Sequence, residues 1–249
     1  MVTIGITTHN GLDTVKKMAA SLYQSELSAP HHIRVYDAGS TEYTAKDLQA
    51  IFPTAASVTR NVTNARAGQN VWRMYRDFIS QSDDEYFFNA DSDLLFHTGW
   101  LVKALELIQK TDGILSVFNC PAKYPTKTII DEVFCTKEHV SAAGTLFARK
   151  RMEEILCAFP EETSEFDRKW CAFFVEQGVS MYCTNKSLVQ HIGYGGQNAR
   201  NFSFDVGKGF EIDSLYNAQV INDRLESCIW WAQTGYGDSL VSRSKGGSR

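Results

Sequence analysis

The sequence is short of the features that set a chain apart from ordinary globular proteins. Proline occurs five times in 249 residues, and no Pro- or Ser-rich stretch divides the chain into separate units. No apolar run approaches the ~20 residues that a membrane helix needs. Met1 leads straight into Val2-Thr3-Ile4-Gly5-Ile6 with no basic segment and no cleavage site, so no secretory signal is expected. The six cysteines (Cys120, Cys135, Cys157, Cys171, Cys183 and Cys228) are scattered and never form C-x-x-C, which removes the common zinc spacings. They read as reduced core residues of a cytoplasmic protein, at most peripheral to a membrane. A basic excess is missing too: 25 Lys+Arg against 29 Asp+Glu leave a net charge of −4, so no global field points to nucleic acid.

The familiar catalytic signatures are also absent. The turn after the first strand-like run is Thr8-His9-Asn10-Gly11, with one glycine where a dinucleotide fold has three. There is no G-x-x-x-x-G-K-[ST], no G-x-S-x-G and no H-E-x-x-H.

What is present is a regular alternation. Short β-branched runs at Val2–Thr8, His32–Asp37, Ser57–Arg60, Glu85–Asn89 and Gly113–Asn119 are strand-like. Between them, helical spacing recurs over residues 12–22, Ala45–Ile51, Gln69–Ile79 and Trp100–Ile108. Strands alternating with helices of this length predict an α/β fold with a mostly parallel central sheet flanked by helices. The second half changes character. Thr128–Phe134 and Val140–Ala148 are strand-like across a short link, which predicts a smaller mixed second sheet. Helices are expected at Lys150–Ala158 and Phe166–Gln177, the latter closed by Gly178, with short strands at Ser180–Cys183 and Leu188–Ile192. A Gly/Asn/Ser-rich loop (Gly193–Gly209), a last helix around Tyr216–Trp231 and a disordered tail over 241–249 complete the reading. One domain over 1–240 is expected, with halves meeting near residue 119.

Chemistry concentrates at Asp91-Ser92-Asp93, where the apolar strand Tyr86–Asn89 ends. Ligands of open α/β sheets bind outside the carboxyl ends of the strands. Two carboxylates two positions apart can face one hard cation, whose oxygen shell a diphosphate completes. The bland alternative is a capping or helix-starting role, which most D-x-D sequences have.

Three segments in order, VTIGITTHN (Val2–Asn10), IRVYDAGSTE (Ile33–Glu42) and EYFFNADSDLLFHTGWL (Glu85–Leu101), resemble family-two glycosyltransferases of the GT-A fold, with a looser likeness to about residue 197. The resemblance implies a nucleotide-sugar donor, UDP-linked, a Mn2+ or Mg2+ cofactor, and transfer with inversion to a glycan, lipid-linked or protein-linked sugar. It places Thr8, Asn10, Asp37, Arg66, Asp91 and Ser92 on the nucleotide sugar, and Asp91 and Asp93 on the metal. Arg66 is equally readable as an ordinary surface arginine. Ala38 replaces the family's second acid, and Thr7 stands where a proline is common. His191, on a late strand, matches an additional metal ligand of GT-A enzymes, with a core role equally open. VSAAGTLFARKRM (Val140–Met152) resembles the strand and helix that back the donor sugar and acceptor. In Glu165-Phe166-Asp167 the resemblance makes Asp167 the general base and Phe166 the replacement of the family's Glu, so Glu165 stays an alternative; helix capping is the plain reading of both acids. Trp230-Trp231 would stack an acceptor sugar or anchor a core. A retaining transferase and a non-catalytic nucleotide-sugar-binding relative are the competing readings.

Overall fold

The structure is a computed structural model that describes residues 1–161, 165–193 and 205–234, without the side chains of residues 227–234. In chain order the elements are β1 (Val2–Thr8), α1 (Leu12–Gln24), β2 (His31–Asp37), α2 (Ala45–Ile51), β3 (Ala55–Arg60), α3 (Ala67–Gln81), β4 (Tyr86–Asp91), β5 (Leu94–Phe96), α4 (Trp100–Ile108) and β6 (Ile114–Ser116). The second half adds β7 (Thr128–Ile129), β8 (Phe134–Lys137), β9 (Thr145–Ala148), α5 (Arg149–Ala158), α6 (Phe166–Glu176), β10 (Met181–Thr184), β11 (Val189–His191) and α7 (Leu215–Thr234).

Nine strands form one sheet in the order β3-β2-β1-β4-β9-β6-β10-β8-β7, and β11 pairs with β5 in a separate two-stranded ribbon. From the pairings, β8 and β9 run against the other seven strands of the large sheet. The expected α/β architecture, a mostly parallel central sheet with a small second sheet, is therefore found. The strands within 128–148, expected to build the second sheet, instead join the large one as β7, β8 and β9, and the small sheet is made by β5 and β11.

Period-two alternation explains how β4 serves both faces at once. Phe88 and Ala90 join Ile4, Val15, Met18, Leu22 and Trp100 in the layer under α1 and α4. Phe87 joins Tyr75, Phe78, Phe147, Trp170 and Phe174 in the opposite layer, under α3 and α6. Asn89 and Asp91 share the parity of Phe87, and the buried Asn89 accepts the Tyr75 hydroxyl at 3.1 Å. The α3-to-β1 approach is so close that a Cβ on Gly5 would collide with the Phe87 ring and the Met74 sulfur.

Three further expectations are corrected. The run 128–134 is a hairpin rather than one strand. Asp131 accepts the backbone N–H groups of Val133 and Phe134, at 2.7 and 2.8 Å, and so turns the chain between β7 and β8. Val140–Ala148 is strand only from Thr145, because Gly144 holds φ 76 and Thr145 caps the preceding turn onto Ser141. Cys157 is exposed rather than in the core: α5 buries Met152 and Ile155, and position 157 points away from that stripe. Cys120, Cys135, Cys171 and Cys183 are buried free thiols. Among the described residues no helix is long and apolar enough to cross a membrane.

Candidate active site

Parallel pairing brings three strand ends to one edge. Thr7 lies in register with Asp91, and Thr8 with Asp37. The Thr7 hydroxyl donates to Asp91 Oδ1 at 3.0 Å, so the residue in the proline position orients the first acid of the D-x-D.

The ribbon of β5 and β11 supplies the rest. Leu94 pairs with His191, and the Ile192 N–H bonds the Asp93 carbonyl at 2.8 Å, which sets the imidazole beside the second acid. His191 Nε2 stands 3.2 Å from Asp93 Oδ1. Ligand atoms of Asp91, Asp93 and His191 all fall within 4.8 Å of one another, the one such group of three among the described residues. Asp93 Oδ1 and His191 Nδ1 are buried without a hydrogen-bond partner there. Buried polar atoms are rarely left so. Two hard carboxylate oxygens with one imidazole nitrogen suit a small divalent cation such as Mn2+ or Mg2+. Gly193 is part of the fit, since a Cβ there would overlap the Asp93 carboxylate. Asp91 is pushed up to about 6, chiefly by burial and the Asp93 charge, against the pull of His191 and Thr7; Asp167 adds a further upward push.

The nucleotide-side residues are placed as follows. Asp37 is wholly buried. Its carboxylate takes the Ser40 N–H at 3.1 and 3.2 Å, the Ser40 hydroxyl at 2.5 Å, the Thr8 hydroxyl at 3.4 Å and the Arg60 guanidinium at 3.1 Å. Direct contact between Asp37 and a ligand therefore requires Arg60 or Ser40 to move. Asn10 sits at φ 52, next to Gly11 at φ 66, and its Oδ1 accepts the Thr41 N–H at 2.8 Å. The left-handed pair starts α1 and ties the β1 turn to the loop after β2. Ser92 is half-buried between the two acids, and Arg66 is exposed at the start of α3.

On the face of the sheet that Asp91 shares with Phe87 stands α6, packed through Trp170 and Phe174. Asp167, in its first turn, accepts the Arg168 N–H at 2.9 Å on Oδ1, and His139 Nε2 lies 3.6 Å from Oδ2. Burial pushes the carboxyl up, but the His139 imidazole and the backbone N–H groups outweigh it and hold Asp167 below the ordinary range. The charges of Asp91 and Asp167 both reach the buried Tyr75 hydroxyl and, with burial, push it far up. The D-x-D and Asp167 thus share one electrostatic environment. Glu165, at φ 56, is exposed and pairs with Arg168 at 3.4 Å. His139, Thr7 and Gly193 carried no signal in the sequence reading. The Trp230-Trp231 side chains, most of the Gly193–Gly209 loop and the 241–249 tail lie outside the described residues.

No curated protein matches the sequence. Solved structures are similar in fold. S. aureus TarS 1-349 superposes with a TM-score of 0.53 at 16% identity over 76% of this chain and 59% of that one. The same protein in complex with UDP-GlcNAc gives 0.55 at 17% identity, over 76% and 57%. Mannosyltransferase PcManGT from Pyrobaculum calidifontis, in complex with GDP-Man and Mn2+, gives 0.54 at 17% identity, over 72% and 53%. The chain thus spans less than two thirds of the length of these structures. Glycosyl transferase family 2 matches residues 3–153, and with that match over most of the chain the protein belongs to glycosyl transferase family 2.

Proposed function

We propose that this chain transfers a sugar from a UDP-linked donor to a hydroxyl of a glycan, lipid-linked or protein-linked acceptor, with inversion at the anomeric carbon. The observation that carries the reading is the meeting of Asp91, Asp93 and His191 at the carboxyl edge of the parallel strands, with Asp167 in the same field. Similar structures hold UDP-GlcNAc in one case and GDP-Man with Mn2+ in another, which supports a nucleotide-sugar donor. Residues 1–119 form the donor half in this reading and 120–240 the acceptor half.

Asp91, Asp93 and His191 would hold Mn2+ or Mg2+, which when bound neutralises the charge developing on the leaving diphosphate. Thr8, Asn10, Arg66 and Ser92 border the donor, and Asp37 braces the turn that presents them. Asp167 removes the acceptor hydroxyl proton as the new bond to the anomeric carbon forms and the bond from that carbon to the diphosphate oxygen breaks. A base must be ionised before it acts, and the partners of Asp167 favour the carboxylate.

Asp167→Asn keeps the size and the capping oxygen but cannot take the proton. Transfer should fall by about 10²–10⁴-fold, with donor binding and melting temperature unchanged. Glu165→Gln should cost far less. Reversed behaviour of the two variants moves the base to Glu165, and retained transfer in both removes the inverting mechanism.

A further inference from the structure

His139 belongs to no motif of the sequence, yet the fold aims it at Asp167. Its Nε2 lies 3.6 Å from Asp167 Oδ2, ion-pair range and longer than a hydrogen bond. That nitrogen is buried and makes no hydrogen bond to any described residue, and its ion-pair partner is the Asp167 carboxylate. The ring is fixed by edge-on packing against the buried Tyr124, with centroids 5.1 Å apart. The other carboxylate oxygen of Asp167 is held by the Arg168 N–H at 2.9 Å. Even so, the Asp167 side chain keeps 36% of its surface exposed, enough to meet a ligand.

We propose that His139 is the positioning residue of the base: from Nε2 it pairs with and steers the Asp167 carboxylate that deprotonates the acceptor. This rests on the reading of Asp167 as base.

The surroundings explain why such a partner is needed. Asp91 at the end of β4, Tyr75 on α3, Tyr124 and Cys171 on α6 all feel the Asp167 charge. Glu138 and Arg168 line the hollow of about 320 Å³ beside His139, and Glu165 pairs with Arg168. Asp91 opposes ionisation of Asp167, since coupling between two sites is mutual. Arg168 is drawn toward Glu165, and the His139 imidazole stands beside Asp167 Oδ2.

The test needs no substrate. In the full chain carrying ¹³C-labelled aspartate, the Asp167 carboxyl signal is assigned by its loss in Asp167→Asn. It is then titrated in wild type, His139→Gln and His139→Phe. Without His139 the Asp167 titration should move up by about one pH unit, the effect of a unit charge at this separation through a water-like medium. His139→Gln, which retains a donor, should move it less than His139→Phe. His139→Gln also serves as the second variant should His139→Phe fail to fold. An unmoved Asp167 titration in folded His139→Gln would overturn the proposal. A lower melting temperature with the Asp167 titration in place would make His139 structural only. Full transfer by Asp167→Asn would instead sink the base assignment and leave the coupling intact.

Discussion

Gly193 offers the sharpest perturbation of the Asp91–Asp93–His191 cluster, because its replacement by alanine adds one methyl against one ligand. The new Cβ would overlap Asp93 Oδ2 and lie 2.8 Å from its Cγ, where ordinary contact begins at 3.4 Å. The Cγ must therefore retreat by about 0.6 Å, and the carboxylate oxygen at the end of the lever by more. Metal–ligand distances tolerate only about ±0.2 Å, so Asp93 would be lost as a well-placed ligand. Disturbing the support of a ligand costs roughly 10–100-fold in metal affinity. The fold itself should barely respond. Asp93 is partly exposed, and an off-rotamer swing costs only about 0.5–1.5 kcal/mol. Titration calorimetry with Mn2+, alongside a thermal melt, reads both quantities. Gly99→Ala is the control, since a Cβ at Gly99 meets nothing within 4 Å. Wild-type Mn2+ affinity in Gly193→Ala would refute the placement of Asp93 in a metal site.

Two further predictions concern a ligand and the fold. Neutral imidazole is a borderline donor that favours Mn2+ over Mg2+, so His191→Ala should depress Mn2+-supported donor turnover more than Mg2+-supported turnover. An unaltered preference with an earlier melt would leave His191 a packing residue. Asp84 is buried and accepts the Thr3 hydroxyl at 2.7 Å and His32 at 2.9 Å. Burial pushes its carboxyl up, but these partners outweigh it and hold it low. A carboxyl depressed by folding contributes stability above its unfolded pKa of about 3.9, and that contribution is lost as pH falls through the folded value. Asp84→Asn should therefore cost about 1–3 kcal/mol at pH 7 in urea unfolding. The gap to wild type should close below about pH 4; a gap that stays constant down to pH 3 would contradict this account.

The parts of the fold that were legible in the sequence are those whose pattern repeats. The bounds Val2–Thr8 and Trp100–Ile108 match β1 and α4, because period two and period 3.6 run uninterrupted there. The D-x-D was legible because an apolar strand delivers it. β5 was not, since Leu94-Leu95-Phe96 is too short to show a period, yet this strand is what carries His191 to Asp93. The hairpin of β7 and β8 was hidden by a side chain bonding the backbone, a local event that hydrophobic pattern does not encode. His139 lies 28 positions before Asp167, and only packing of α6 against the sheet brings the pair together. Thr7 looked neutral from residue type alone, and its hydroxyl turned out to hold Asp91.

Whether the Asp91–Asp93–His191 cluster binds a metal–diphosphate complex is best decided by calorimetry with UDP, with and without Mn2+, in wild type and Asp93→Ala. The account predicts UDP binding by wild type that is lost on chelation of the metal, no metal-dependent binding by Asp93→Ala, and equal melting temperatures for the two proteins without ligand. UDP binding by Asp93→Ala with wild-type affinity and an unchanged response to chelation would contradict it.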